Sequence, residues 1–307
     1  VGSRIIDGNG YSAELQRGLA EDVADLLEQG IRPGLATLLA GSREAVDSYE
    51  RRARRLAEEL GYYYRCEHLS GDADEAEMIA TVEELNADPR VSGVLVLRPL
   101  PEGVSEAAVY GALDPTKDIE AQHPENAGLL ALGRPRYEPS TAASCFYLLD
   151  RYLEDSGRDP AEFYRKSTIT VVGRSETVGK PAVSLGYERG AAVISCDKNA
   201  SDSGRLAEYT GQADALIVAA GVPGLVTAEH VREGAIVLDV GTNPVTDPET
   251  GEVRLAGDVD LASVASKAEA VSPVPGGVGT VTYAQLLVNV AEAARSRLKS
   301  VSREWSL

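Results

Sequence analysis

An apolar, strand-like run ends at Gly173 and leads into Arg174-Ser175-Glu176-Thr177-Val178-Gly179-Lys180-Pro181. Glycines at 173 and 179 permit a tight turn and close backbone approach, and N–H groups at a helix start can meet a pyrophosphate. The spacing is not G-x-G-x-x-G, so on its own the segment reads equally as an ordinary strand-to-helix turn. Asp197 lies 24 residues after Gly173, near where an acid grips the adenosine ribose of a dinucleotide. A carboxylate there accepts hydrogen bonds from the 2′-hydroxyl and repels a 2′-phosphate, which favours NAD over NADP. A helix N-cap is the other reading of Asp197. Lys198 and Arg174 are cationic neighbours that keep NADP open, and Arg174 is alternatively a ligand for pyrophosphate or an inorganic anion. Ala220-Gly221 and Gly241 follow two later strand-like runs, at the carboxyl ends where ligands of open α/β sheets sit. Their plainer reading is turn glycine.

Alternating strand and helix signals surround these residues. Buried strands are expected at 34–41 and 93–97, with a one-faced helix over 43–60 between them. A second series of strands is expected at 168–173, 192–196, 215–219 and 236–240, with a short one near 270–271. Such alternation implies βαβ units and largely parallel sheets. The polar stretch Glu154–Pro160 reads as a surface connection between two halves, and a final helix covers roughly 283–299.

The 307 residues are about right for two domains. A net charge of −18 excludes general nucleic-acid binding and anionic membrane surfaces, although one arginine and a helix start can still hold a phosphate. No run of about 18 apolar residues predicts a membrane span. Cys66, Cys145 and Cys196 form no metal-type spacing and read as reduced thiols of a cytoplasmic protein. His68 and His230 lack ligand-like partners, so no metal site is expected.

Gly173–Pro181, together with Ser272-Pro273-Val274-Pro275-Gly276-Gly277-Val278-Gly279-Thr280-Val281-Thr282, resembles the methylenetetrahydrofolate dehydrogenase/cyclohydrolase family. Tyr49, Gly93–Pro101, Lys117–Pro124, Asn126, Gly128 and Pro139-Ser140-Thr141 continue the likeness through most of the chain. The resemblance implies two α/β domains with a cleft between them. The first, residues 1–150 plus the terminal helix 283–307, binds folate. The second, residues 151–282, is a Rossmann-like parallel-sheet NAD(P)-binding domain. It also implies tetrahydrofolate as the carrier substrate and a homodimer. Candidate cofactor-binding residues are Gly173, Arg174, Ser175, Val178, Gly179, Asp197, Ala220, Gly221, Gly241 and Thr282. Candidate substrate-binding residues are Tyr49, Leu97, Arg98, Pro99, Pro275, Gly276 and Gly277, with Tyr49, Glu120 and Asp118 as the catalytic candidates. Asp118 alternatively pairs with Lys117 or holds its loop.

The departures from the family pattern concern one reaction more than the other. The family's lysine, four residues after its tyrosine, is Ala53 here; its glutamine is Leu97, and its second aspartate is Glu120. Ser140 and Ala142 replace a cysteine and a proline. Removing hydride from a methylene carbon between two nitrogens needs alignment and exclusion of water but no general base, because the nitrogen lone pairs stabilise the cation. A carboxylate such as Glu120 can assist electrostatically. Hydrolysis of the methenyl product needs a tunable acid/base group. Ala53 supplies none, and the flanking Arg52 and Arg54 stay protonated. The departures at Ala53, Leu97 and Glu120, with Asp197-Lys198-Asn199, resemble the monofunctional NAD-dependent subgroup known in yeast. The expectation is therefore NAD-dependent oxidation of 5,10-methylenetetrahydrofolate with hydrolysis absent or weak. The alternatives are a bifunctional enzyme using Arg98 or Glu120, a non-catalytic nucleotide-binding homologue, and an enzyme for a related pterin carrier.

Overall fold

The computed structural model describes residues 3–246 and 251–304, with side chains described through residue 296. The ends of the expected first domain, 1–2 and 305–307, lie outside the described residues. The strands are β1 (Arg4–Ile5), β2 (Gly34–Ala40), β3 (Tyr63–Leu69), β4 (Gly93–Val96), β5 (Thr168–Val172), β6 (Ala192–Cys196), β7 (Ala215–Val218), β8 (Ile236–Asp239), β9 (Asn243–Thr246), β10 (Val253–Ala256) and β11 (Ala270–Ser272). The chain forms two compact units: residues up to Glu14 with Pro139–Thr282, and Leu15–Glu138 with residues from Tyr283 on, labelled nucleotide-side and folate-side after the expectation for each.

In the folate-side unit, β2 pairs in parallel with β3 on one side and β4 on the other. Continuous burial along β2 and β4 explains why both read as unbroken apolar runs. The helix Glu44–Glu59 turns Ala53 and Ala57 inward, with Val46, Tyr49 and Leu56 packed at the margin. Glu50 is buried on the same face, held by Arg54 at 2.7 Å and the Tyr64 hydroxyl at 2.7 Å. From Tyr283 onward the last helix adds Leu286, Leu287 and Val290 to the cluster around Leu95 and Ile119. Asn289 fastens it by donating to the Ile119 and Glu138 carbonyls at 2.8 and 2.7 Å.

The nucleotide-side unit is built on a six-stranded sheet in the order β1-β11-β8-β7-β5-β6, parallel throughout. From β5 the chain crosses to β6 on one side, then returns to β7 on the other. That reversal puts a topological switch point between the carboxyl ends of β5 and β7.

Two expected boundaries move. The helix Ser140–Asp155 belongs to the nucleotide-side unit, where Phe146 is buried against Tyr164 and faces Gly186. Residues 139–150 therefore leave the folate-side domain, and so do the first 14, because β1 joins β11. Glu154–Pro160 is thus no connection between halves. It is the turn between two helices within one unit, with Asp159 capping the second. Four strands escaped the sequence reading: β1, β3 and the β9–β10 pair. Among the described residues, no helix is long and apolar enough to cross a membrane.

Lys117 is about as buried as any apolar core residue, at 1% exposure. Its Nζ donates to the carbonyls of Leu85, Asn86 and Asp88 at 2.9, 2.6 and 2.9 Å, closing the C-terminus of the helix Glu75–Ala87. A cation suits a helix C-terminus, and the carbonyls it serves would otherwise lose their donor. Lys117→Met should lower the unfolding free energy by about 2–4 kcal/mol in urea titration. A loss within the scatter of surface substitutions would refute this role.

Candidate functional site

On the nucleotide side, β5 ends at Val172 and the backbone turns at Gly173, where φ is +113°. A Cβ at Gly173 would lie 2.0 Å from the Ala219 carbonyl oxygen, and one at Gly179 would lie 2.1 Å from that of Gly173. Both positions therefore require glycine because backbone meets backbone at the switch point. Ser175 shapes the turn: its hydroxyl accepts from the Val178 and Gly179 N–H groups at 3.2 and 3.3 Å. The helix Gly179–Glu188 starts directly after it.

Arg174 folds back over the end of β6. It donates to the Ser195 hydroxyl at 3.1 Å, to the Ser195 carbonyl at 2.8 Å and to Asp197 at 3.0 Å. Asp197 also caps the short helix Lys198–Asp202 through the Asn199 N–H. Desolvation opposes its ionisation, but Arg174 and the Asn199 and Ala200 donors outweigh it and hold its pKa below the ordinary value. Asp197 is therefore both a helix cap and an anion at the end of the strand that follows the glycine turn.

Like those of Val178 and Gly179, the backbone N–H groups of further expected nucleotide residues are already spent, and that of Gly173 donates to the Cys196 carbonyl at 2.9 Å. Ala220 and Gly221 donate to Asp258 at 2.6 and 2.8 Å, and Gly241 donates to Asp239 at 3.0 Å. What these loops present to a ligand is thus their carbonyls, Cα atoms and side chains. Thr282 is buried and its hydroxyl donates to the Val278 carbonyl at 3.2 Å, inside the last helix. Gly276 has φ +101°, and its carbonyl accepts from the Gly8 N–H at 2.9 Å. Pro275–Gly277 accordingly belongs to the nucleotide-side unit, packed on the start of the helix Gly8–Glu28.

On the folate side, Tyr49 lies with its ring centroid 4.8 Å from that of Tyr283. Burial raises the Tyr49 hydroxyl's pKa well above its ordinary value, and the Glu120 carboxylate and Tyr283 add to the shift. Burial also raises that of Tyr283, opposed by the neighbouring Arg52 guanidinium. Both phenols therefore stay protonated near neutrality. Tyr283 was missed by sequence reasoning. It directly follows Thr282, but nothing in spacing pairs a residue of the last helix with one at position 49.

Asp118 is buried, and its carboxylate accepts from the Gln122 and His123 N–H groups at 3.0 and 2.8 Å and from the Asn126 amide at 2.8 Å. It holds the loop that carries Glu120, the second of the roles expected of it. Arg98 donates to Gln122 at 3.0 Å, pairs with Glu106 at 2.9 Å and lies over the Tyr110 ring at 4.9 Å. Leu97 is buried beneath it, whereas Pro99 is exposed. Ala53 is 1% exposed within the apolar cluster, one helical turn from Tyr49.

A glycine turn at the switch point of a parallel sheet, with an acid ending the next strand, defines a pyridine-nucleotide-binding α/β enzyme. The sequence matches two family descriptions. They are "Tetrahydrofolate dehydrogenase/cyclohydrolase, catalytic domain" over residues 6–120 and "Tetrahydrofolate dehydrogenase/cyclohydrolase, NAD(P)-binding domain" over residues 139–298. The chain belongs to the tetrahydrofolate dehydrogenase/cyclohydrolase family. It is 62% identical over 296 residues to "Bifunctional protein FolD 3" of Rubrobacter xylanophilus, covering 96% of this chain and 93% of that one. The structure of Trypanosoma brucei methylenetetrahydrofolate dehydrogenase-cyclohydrolase, complexed with NADP and an inhibitor, is 31% identical. It superposes with a TM-score of 0.87, covering 97% of this chain and 99% of that one. The NAD-dependent methylenetetrahydrofolate dehydrogenase of Saccharomyces cerevisiae is 18% identical at a TM-score of 0.75, covering 96% and 98% of the two chains, a likeness of fold alone. The expected subgroup is thereby corrected: the sequence similarity is to proteins named bifunctional. The expected likeness to the yeast type, drawn from residues 53, 97, 120 and 197–199, weighs less than identity over the whole chain.

Asp239 offers a test of the strand-end geometry. Burial raises its pKa from the ordinary 3.8 to about 6; three backbone N–H donors oppose the shift and Asp258 adds to it. The folded state then holds a proton between pH 4 and 6 that the unfolded state releases. This group's stabilisation is complete below the unfolded pKa and is lost as pH rises through about 6. Relative to Asp239→Asn, the wild type should lose about 1–3 kcal/mol of stability from pH 4 to pH 6 in urea titrations. Parallel profiles for the two proteins would contradict the assignment.

Proposed function

We propose that this protein oxidises 5,10-methylenetetrahydrofolate to the methenyl form by hydride transfer to a pyridine nucleotide. The observation that carries the reading is the switch-point turn, where Gly173 and Gly179 admit only hydrogen as a side chain. When bound, the nucleotide supplies the hydride acceptor at its nicotinamide ring. The chain's own residues orient and shield. The Gly173–Gly179 turn lets the pyrophosphate approach the backbone closely at the positive end of a helix; the N–H groups there are taken up by Ser175, so the fit rests on the missing side chains and the helix dipole. Tyr49 and Tyr283 offer aromatic faces and hydroxyl donors to the pterin and its linker. Glu120 places negative charge where the methenyl cation develops. No proton leaves the carbon, so the dehydrogenation needs no base near Tyr49.

Two readings of the nucleotide each rest on an observation. The anionic Asp197, with Arg174 already paired to it, supports NAD, because its carboxylate accepts from a 2′-hydroxyl and repels a 2′-phosphate. The trypanosome relative holds NADP, which supports a second reading in which Arg174 leaves Asp197 for the phosphate.

Hydrolysis also has two readings. The bifunctional relative at 62% identity favours an enzyme that hydrolyses its own methenyl product, and we give that reading precedence over a dehydrogenase alone. It requires a group other than residue 53: Glu120 is the candidate for moving the proton, and Arg98, which stays protonated, only for electrostatic support. Ala53, buried among apolar side chains, favours slow hydrolysis. The resemblance to the family also carries a homodimer into the proposal; a monomer mass in sedimentation would remove it.

Following reduced nucleotide and the methenyl chromophore together, with NAD and with NADP, tests these points. The proposal expects nucleotide reduction strictly dependent on the methylene substrate. Methenyl decay faster than in buffer supports the bifunctional reading, and accumulation supports the dehydrogenase alone. In the second case Ala53→Lys should raise hydrolysis at least tenfold. Absence of nucleotide reduction on reduced folates would overturn the proposal.

A further inference from the structure

Two buried aspartates interlock behind the nucleotide-side loops. Asp258 is fully buried; one carboxylate oxygen accepts from the Ala220 and Gly221 N–H groups at 2.6 and 2.8 Å, the other from the Asn243 amide at 2.8 Å. The Asp258 N–H donates to Asp239 at 3.0 Å, and Asp239 also takes the Val259 and Gly241 N–H groups, both at 3.0 Å. Two glycines make room for this pairing. A Cβ at Gly241 would lie 2.2 Å from an Asp258 oxygen, and one at Gly257 would lie 1.8 Å from an Asp239 oxygen. Gly241 is thus glycine to admit a carboxylate, a reason independent of any bound ligand.

The bonds made by Asp258 lead to the switch point. The turn it grips includes Ala219, whose carbonyl oxygen occupies the space a Gly173 side chain would need. The Ala219 N–H donates back to Val172 at 2.7 Å. One buried anion therefore sets the position of the Ala219–Gly221 turn, and that turn bounds the Gly173–Gly179 loop. Charge-assisted bonds to backbone N–H groups away from water are strong and directional, which suits a fixed support.

We propose that Asp258 is a positioning residue for the nucleotide: it touches no ligand and sets the turn that frames the glycine loop. This rests on the reading of that loop as the dinucleotide site. Asp258→Asn keeps the shape, removes the charge and leaves one acceptor oxygen where there were two, so its NH2 must face either the Ala220 and Gly221 N–H groups or the Asn243 amide, a donor against a donor. The variant should raise the nucleotide KM and its directly measured Kd about tenfold, a loss of about 1.4 kcal/mol, with the folate KM within about twofold.

Wild-type hydrogen exchange supplies a second readout if the variant does not fold. The Ala220 and Gly221 amides should be protected in the nucleotide-free protein, with little added on nucleotide binding. The positioning role is overturned if the variant shifts both KM values alike or leaves nucleotide affinity unchanged. It is likewise overturned if those two amides exchange freely until nucleotide is added. Failure of the functional reading looks different: the wild type itself would then neither bind nucleotide nor reduce it.

Discussion

Lys117, Asp118, Asp239 and Asp258 are charged side chains removed from water, and the bonds that satisfy them run mainly to backbone groups of loops. A buried charge left unpaired is prohibitive, so each of these groups dictates where its loop must lie. Lys117 holds the end of a helix, and Asp118, next in sequence, holds the segment that carries Glu120. Asp239 and Asp258 hold the loops after β7 and β8. Candidate site residues such as Glu120, Ala220, Gly221 and Gly241 therefore sit on segments whose conformation is fixed by buried charges.

This division of labour suits the chemistry. Hydride transfer between a one-carbon bridge and a nicotinamide ring asks for placement and dryness more than for proton transfer. The side chains offered near Tyr49 match that demand: two phenols held in the protonated state, a carboxylate and a buried alanine. Hydrolysis asks for more. The kinship with proteins named bifunctional and the loss of the lysine position pull in opposite directions, and the chain's own groups decide between them.

Much of the architecture was legible in the sequence. β2, β4, β5, β7 and β8 are buried along their whole length or nearly so, so they appear as continuous apolar runs. β3, Tyr-Tyr-Arg-Cys-Glu-His-Leu, lies at the sheet edge, half exposed and rich in polar residues, which erases that signal. β1 has two residues and exists only through its pairing with β11. The glycine turn and Asp197 were readable because their spacing is local. The contact of Tyr49 with Tyr283, and the service of Asp258 to Ala220 and Gly221, link residues far apart in sequence, so no spacing announces them. Asp118 was readable as a motif residue, but whether its carboxylate faces a substrate or its own loop depends on donors that only the fold brings near.

The most direct measurement of the central claim follows the hydride itself. Methylenetetrahydrofolate carrying two deuterium atoms on its one-carbon bridge is supplied with oxidised NAD or NADP, and the products are weighed by mass spectrometry. The account predicts one deuterium on the reduced nicotinamide and one retained on the methenyl carbon. Reduced nucleotide free of deuterium would place the hydride's origin elsewhere and contradict it.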